Sequence, residues 1–247
     1  MSDTTTSSKT VLQNTALKEN IRLRVQQTVN TINNMRGGEN LSNYSISARK
    51  ELASSETLDV ILGPGQDASM ADEVPKLALV VASKTFREKI VEKPEIPELK
   101  VVSASIDIPS VAILMNWLKD AVHSKAHQIP KVPIPADIVD KAKLVHAANI
   151  LGMDRYVNHV VASFRHDVRL IIPSPEQCSN LEKYGISSDH AVSQAVGERF
   201  GYLLRTGKFF GDRHMLMRFL ARSEKIGQAV RDADARAQAK RAAQNQN

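Results

Sequence analysis

The sequence has 247 residues, of which 42% are hydrophobic and 24% charged, a balance suited to one large core or two smaller ones. No stretch approaches the roughly eighteen consecutive apolar residues that a membrane span requires, and the N-terminus has neither a basic start nor an apolar signal core. The single cysteine, Cys178, excludes an internal disulfide bond. We therefore expect a cytoplasmic or nuclear protein without a membrane partner.

The net charge of +6 is unevenly distributed along the chain. Residues 57–172 carry fourteen basic and fourteen acidic side chains, whereas residues 173–247 carry twelve and eight. The C-terminal surplus is interleaved with acids, as in the run from Arg231 to Arg236, which is typical of a solvated helix. The distribution therefore argues against nucleic acid as the main partner.

Residues 1–56 are predicted to be a partly disordered segment with one amphipathic helix. Residues 1–10 are rich in Ser and Thr and have no apolar periodicity. Between Val11 and Met35 apolar residues recur at near-helical spacing, and the pair Gly37-Gly38 follows as a stop signal. The apolar stripe of this helix is either a self-association surface or packs on its own domain; it includes Leu17, Ile21 and Val25.

The central part of the chain alternates between strand and helix signals. A β-branched run at Leu58–Leu62 predicts a strand, and a second strand is expected over Leu99–Ile106. Between them, Asp72 is the predicted N-cap of one helix that starts near Pro75 and carries a buried face through Ile90.

Helical spacing dominates the rest of the sequence. Helices are predicted from Pro109 to about Val122, from Asp137 to Gly152 and from Met153 to about Val168. Beyond them, Val192–Leu203 and Leu216–Val230 predict an antiparallel helix pair, and residues 231–247 are expected to form a polar, fraying tail.

Several short motifs occur in the order that is typical of one family. They are Leu58-Asp59-Val60, then Pro75-Lys76 with Leu79, Ser83 and Phe86, then Ile106-Asp107-Ile108 with Trp117, then Leu144 with Ala147 and Leu151. In this order the sequence resembles the BTB/POZ domain family, especially divergent fungal BTB-like proteins. Pro75, Ala82 and Lys119 depart from the residues that are usual in that family.

The resemblance implies an α/β fold of the α+β type, in which helices cover a small sheet, with an N-terminal helix and a C-terminal helical extension. The implied domains are residues 57–172 for the BTB-like domain, 173–230 for the extension and 231–247 for the tail. It further implies a non-catalytic protein-interaction module that works as an adaptor. Homodimerisation is a further expectation, with the N-terminal helix and the first strand as the self-contact surfaces. The family forms a charged pocket partly from the aspartate that matches Asp59 and from a basic residue, a type that Ala82 replaces here.

Three more residues are interaction candidates. Ile96-Pro97-Glu98 matches the apolar-x-acidic element that cullin-binding members of the family place before this strand, so Ile96 and Glu98 imply a cullin-type ubiquitin-ligase scaffold as one partner. Trp117 is the only tryptophan: a large aromatic residue anchors an interface when it is exposed, whereas a single tryptophan is more often a core residue.

No motif in the sequence predicts catalysis, a cofactor or a metal site. Nucleophile-elbow and phosphate-loop patterns are missing, and His123 and His127 lack the glutamate and third ligand of a metalloprotease. His146 is expected to be a hydrogen-bonded core residue, and Asp107 a helix-start residue. The alternative function is a transcription-related or nucleic-acid-associated role for the C-terminal helices, through Arg205, Lys208, Arg213, Arg218, Arg222 and Lys225.

Overall fold

The computed structural model describes residues 23, 26–27, 29–31, 33–35, 37–62, 69–96, 98–101 and 106–244. These residues form a mixed α/β protein with a small sheet, as the sequence predicts. The chain divides into two compact units, residues 1–102 with 115–130 and residues 103–114 with 131–247. The domain boundaries predicted at residues 57, 173 and 231 stay predictions.

Within the described ranges, no helix is both long enough and apolar enough to cross a bilayer. The described residues between 23 and 33 are helical, which agrees with the predicted N-terminal helix. Leu17, Ile21 and Val25, the predicted stripe on that helix, lie outside the described residues.

The first unit contains the sheet. Its elements are α1 (Ile46–Ala53), β1 (Thr57–Leu62), β2 (Ser69–Pro75), α2 (Lys76–Ala82), α3 (Lys84–Glu92) and β3 (Glu98–Val101). The strand order is β2-β1-β3, with β2 antiparallel and β3 parallel to β1. Apolar residues at alternate positions of β1 and β3 are buried, namely Leu58, Val60, Leu99 and Val101.

Strand β1 confirms the predicted strand at Leu58–Leu62, and β3 confirms the start of the second. That second strand was predicted to reach Ile106, but residues 102–105 lie outside the described residues. Strand β2 was not predicted, and the assignment of Asp72 as a helix cap is wrong. Asp72 lies in β2, which backbone pairing with β1 holds in place although its own sequence has low β propensity.

The predicted single helix after Pro75 is two helices, because the chain becomes extended at Ser83. The Ser83 hydroxyl accepts a hydrogen bond from the Phe86 amide (3.1 Å) and so caps α3. Arg87 donates to the carbonyls of Val80 (2.7 Å) and Val81 (3.1 Å), which lie at the C-terminal end of α2 and have no hydrogen-bond donor within that helix. The Ser-x-x-Phe motif is therefore a helix-start signal rather than part of a continuous helix.

Helix α4 (Ile108–His123) contributes residues to both units. The carboxylate of Asp107 accepts hydrogen bonds from the amide (3.1 Å) and the hydroxyl (2.7 Å) of Ser110, which confirms its predicted helix-start role. In the first unit, Trp117 is 3% exposed and donates from Nε1 to the Pro130 carbonyl (2.8 Å).

The second unit is helical. It contains α5 (Ile138–Ile150), a 3₁₀ turn (Asp154–Tyr156), α6 (Asn158–Leu170), α7 (Pro175–Tyr184), α8 (Ala191–Arg205), α9 (Arg213–Arg222) and α10 (Lys225–Gln244). The predicted helix over Asp137–Gly152 is confirmed, since Asp137 caps it through the Val139 amide (2.7 Å) and Gly152 follows with a φ of +64°. Helix α7 was not predicted.

The predicted antiparallel pair at the C-terminal end is wrong. The segment Leu216–Val230 is split at Ser223. Helix α10 runs parallel to α8, as the successive contacts of Gly197 with Ala229 and of Gly201 with Ala233 show. The split is fixed by α7: one carboxylate, Glu182, accepts hydrogen bonds from the Ser223 hydroxyl (2.6 Å) and from the Lys225 and Ile226 amides (both 2.9 Å). The helix continues through Gln244 into the segment predicted as a tail.

Candidate functional site

A groove of about 620 Å³ lies in the second unit between helix α9 and the chain segment that enters α7. We call it the α9 groove. It is lined on one side by residues of 172–179 and on the other by residues of 209–222, together with Phe200 of α8. Its volume is in the range of protein sites that take a small molecule or a few side chains of a peptide.

The lining of the groove is mainly apolar. Buried side chains that line it are Pro173, Cys178, Phe200 and Leu216. Phe200 and Phe209 meet edge to face with ring centroids 6.5 Å apart, which fixes the aromatic wall. Ile172 and Met215 line the groove and are exposed, so apolar surface is already open to a partner.

Most polar groups of the lining are engaged in capping helices. Ser174 and Gln177 form a reciprocal capping box at the start of α7, with bonds of 3.2 and 2.9 Å. Asp212 accepts from the Met215 amide (3.0 Å) at the start of α9. This hydrogen bond, helped by the nearby Arg218, holds the pKa of Asp212 below its usual range. These polar groups therefore stabilise the helix starts that form the sides of the groove, and their hydrogen bonds are already made within the protein.

The arginines of α9 are differently placed. Met215, Arg218, Phe219 and Arg222 line the groove and follow one another along one side of the helix. Arg218 and Arg222 are exposed, and neither forms an ion pair with a described residue. The groove therefore joins an apolar base to a rim that carries two arginines without ion pairs, with the Asp212 carboxylate near Arg218.

Exposed apolar side chains cluster in the same stretch of chain. Phe210 is 90% exposed, and Met215 and Met217 are 47% and 49% exposed. Leu170, Ile172 and Tyr202 of the second unit are exposed as well. Scattered exposed apolar residues are ordinary, but Ile172 and Met215 line an apolar groove, which is typical of an interaction surface.

The thiol of Cys178 does not supply a reactive group to the groove. Burial raises its pKa to about 11, so it is protonated near neutral pH. Its closest polar contact is the Pro173 carbonyl, 3.7 Å from the sulfur. Cys178 is therefore a small packing residue.

A second group of polar side chains is buried where α5, α7, α8 and α10 meet. His146 packs edge to face on Tyr184 at 5.9 Å, and neither of its ring nitrogens makes a hydrogen bond of ordinary geometry within the described residues. The predicted core position is confirmed, but the predicted hydrogen bond is wrong. Burial lowers the pKa of His146, and the positive charge of Lys225 and the nearby His190 lower it further. Neutral His146 is a packing residue here.

The described interaction candidates, Asp59, Ile96, Glu98 and Trp117, are not among the residues that line the α9 groove. Asp59 is half-buried in β1, where its carboxylate accepts from the Glu73 amide (3.3 Å) beside an irregularity in the β1–β2 pairing. Ile96 is half-buried, and Glu98 is exposed and pairs with Lys100 (3.1 Å). Trp117 lies in the core of the first unit and offers little surface. Their roles toward a partner stay predictions.

The six basic residues of the alternative function are not equivalent. Arg205 is paired with Asp234, and the Lys225 ammonium donates to the Glu182 (3.1 Å) and Gly185 carbonyls. Lys208 lies over the ring of Tyr202 (5.8 Å). Lys208, Arg213, Arg218 and Arg222 are exposed without an ion pair to a described residue, and the three arginines among them lie on α9.

No protein-family model matches this sequence, and no curated protein matches it either. The assignment of the α9 groove as the candidate site therefore depends on the geometry of the groove alone. The sequence contained one signal for it: large apolar residues and arginines alternate from Phe209 to Arg222, with no acid after Asp212. That signal was interpreted as half of a helix pair, and the groove depends on α7, which was not predicted.

Proposed function

We propose that this chain is a non-catalytic protein-interaction module and that the α9 groove is a surface through which it binds another protein. The observation that carries the proposal is an apolar groove whose lining includes exposed Met215 and two arginines of the same helix, Arg218 and Arg222, without an ion pair to a described residue. Interfaces are enriched in aromatic residues, methionine and arginine, and this groove is lined by all three.

The order of elements in the chain supports a BTB-like form of the module. The motifs quoted for the family lie on β1, on α2 and α3, before and within α4, and on α5, in that order. A small sheet covered by helices is a preformed scaffold, so a partner binds without first ordering the chain. On this proposal the Asp59 carboxylate stabilises the β1–β2 hairpin by accepting from the Glu73 amide. A role of Asp59 in a dimer pocket is a separate proposal.

Two partners implied by the resemblance have direct tests. Homodimerisation predicts a concentration-dependent mass in sedimentation equilibrium; a constant monomer mass would remove it. A cullin partner that binds near Ile96 and Glu98 predicts measurable heat on mixing with the cullin scaffold at micromolar concentrations. No heat from the wild-type chain would remove the ligase-adaptor role.

Nucleic acid is the second candidate function, because three arginines of α9 are exposed and unpaired within the described residues. A duplex-binding role predicts affinity at low salt that is lost when Arg218 and Arg222 become alanine. The apolar lining between those arginines favours a protein partner, since phosphate contacts need no hydrophobic base.

The docking surface is tested by selecting short peptides from a random display library on the full chain. Binders are then measured on Met215→Ser and Met217→Ser. The two methionines are on the same helix with nearly equal exposure, but only Met215 lines the groove. We expect binders that Met215→Ser weakens about tenfold and Met217→Ser leaves unchanged. Binders insensitive to Met215→Ser, or no binders, would contradict the proposal.

A further inference from the structure

We infer that the α9 groove accepts an acidic amphipathic segment of a partner protein, with apolar side chains in the groove and carboxylates beside Arg218 and Arg222. This inference rests on the proposed function and specifies the chemistry of the partner at the same site. It follows from the shape of the groove and from the charges at its rim.

The shape of the groove calls for protruding apolar side chains on the partner. Its base is formed by buried Pro173, Phe200 and Leu216, and its volume of about 620 Å³ leaves space above them. An amphipathic helix that enters such a groove places apolar residues at spacings of three and four on one face. Burial of that face, together with exposed Met215 and Ile172, supplies most of the favourable free energy.

The charges at the rim select acids on the flanks of that segment. Between residues 206 and 222 the chain carries four basic side chains, Lys208, Arg213, Arg218 and Arg222, against one acid, Asp212. The Asp212 carboxylate is already held by the Met215 amide at the start of α9. Arginine forms two parallel hydrogen bonds with a carboxylate, so an acidic side chain at the rim is held in a defined orientation as well as attracted by the positive charge.

Two other partners with negative charge fit the groove less well. A membrane-binding helix places its apolar residues on an outward face that enters the bilayer, whereas the base of the α9 groove is recessed. Nucleic acid binds through phosphates and needs arginines without an apolar base. Lipid vesicles and a DNA duplex are therefore included in the test as comparison ligands.

The test uses peptides selected on the full chain. Each is synthesised in its selected form and in a form with every Asp and Glu changed to Asn and Gln, and affinities are measured by fluorescence anisotropy. The charge-reversed chain is Arg218→Glu with Arg222→Glu. A matched control, Lys240→Glu with Arg241→Glu, makes the same change of net charge at exposed positions of α10 that do not line the groove.

We expect selected peptides to be rich in acidic and large apolar residues. Neutralising the acids, or reversing the two α9 arginines, should each weaken binding about tenfold and reduce its salt dependence, while the α10 control behaves as wild type. A lysine-substituted peptide should bind the charge-reversed chain better than the wild-type chain. This exchange of preference would assign the carboxylates to Arg218 and Arg222.

The failures are distinguishable. Peptides that need Met215 but show no acidic excess and no effect of arginine reversal would leave the docking surface in place and overturn the acidic partner. Binders that ignore Met215 would overturn both. Phosphatidylserine vesicles or a DNA duplex that bind more tightly than any selected peptide, with loss in the α9 charge-reversed chain only, would overturn the peptide in favour of a phosphate-bearing partner.

Discussion

The α8–α10 contact and the α9 groove lie in the same C-terminal stretch of chain but are built in opposite ways. Where α8 meets α10, small residues allow close approach, and the nearby charges are paired, as Arg205 is with Asp234. In the groove, large apolar residues are left open and arginines stay unpaired within the described residues. The difference separates residues that hold the fold from residues that are available to a partner.

The largest effect is expected from Gly197→Ala. A Cβ at Gly197 would lie 2.6–2.7 Å from backbone and side-chain atoms of Ala229, so one helix must move. We expect a loss of about 3 kcal/mol in the free energy of unfolding, measured by urea denaturation. An ordinary glycine-to-alanine change inside a helix stabilises instead.

Gly201→Ala, one turn along α8, is the matched control. There the two nearest atoms are the ends of the paired Arg205 and Asp234 side chains, at 3.0 and 3.3 Å, which can shift by a few tenths of an ångström, and the Ala233 Cβ is at an ordinary 3.6 Å. We expect a change of less than about 1 kcal/mol. Equal losses for the two variants would contradict the close-packing account.

The next effect concerns Glu182, which caps α10. Burial would raise its pKa, but hydrogen bonds from the Lys225 amide, Ser223 and Ile226 outweigh burial and lower it. Glu182→Ala should reduce the free energy of unfolding by about 2 kcal/mol at pH 7. Because the folded-state pKa is lowered, the stabilisation is present above the unfolded value of 4.5 and is lost as the pH falls below it. A loss that persists undiminished in acid would contradict this role.

A smaller effect is expected from the buried His146. Its pKa is lowered in the folded chain, so the unfolded chain takes up a proton first as the pH falls below the ordinary value of 6.5. Wild-type stability should therefore fall below pH 6.5, and His146→Phe should remove about 1 kcal/mol of the difference between pH 7.5 and 5.0.

His190 also has a lowered pKa, mainly through burial, and its contribution remains in both chains. The comparison of pH slopes therefore isolates His146 from that background. The pKa of Lys143, whose ammonium lies 5.9 Å from the centre of the Tyr184 ring, is raised by its hydrogen bond to Asp140, so this charge does not change the slope. Identical slopes for the wild type and His146→Phe would contradict the account.

The smallest effect on stability is expected at the groove. Met215→Ser should change the free energy of unfolding by less than about 0.5 kcal/mol, because the side chain is 47% exposed. The same variant should weaken peptide binding about tenfold. A large loss of stability would place Met215 with the residues that hold the fold.

Local signals in the sequence predicted much of the fold. Strand β1 and the helices that start at Asp137 and Asp107 follow from β-branched runs, caps and apolar periodicity. Those signals act within a few residues, so one sequence is enough to read them. The polar run of β2 contains no such signal and is fixed by its pairing with β1. Helix α7 does carry a local signal, the capping box of Ser174 and Gln177 with Pro175 at the first helical position, but its short polar sequence has little apolar periodicity.

The candidate site was harder to predict for the same reason. The break at Ser223 depends on Glu182, some forty residues earlier in the sequence. Without that break, Leu216 and Val230 belong to one predicted helix, and α9 is not recognised as a separate helix. The groove follows only when α7 and α9 are both present, and the sequence analysis assigns Leu216–Val230 to one helix of a pair instead.

The most direct measurement is amide hydrogen exchange of the full chain with and without a selected peptide. The account predicts added protection in α9 (Arg213–Arg222) and in residues 172–179, with no change along the α8–α10 contact. It predicts that Met215→Ser removes this protection and that Met217→Ser retains it. Protection confined to other parts of the chain would contradict the assignment of the α9 groove as the docking surface.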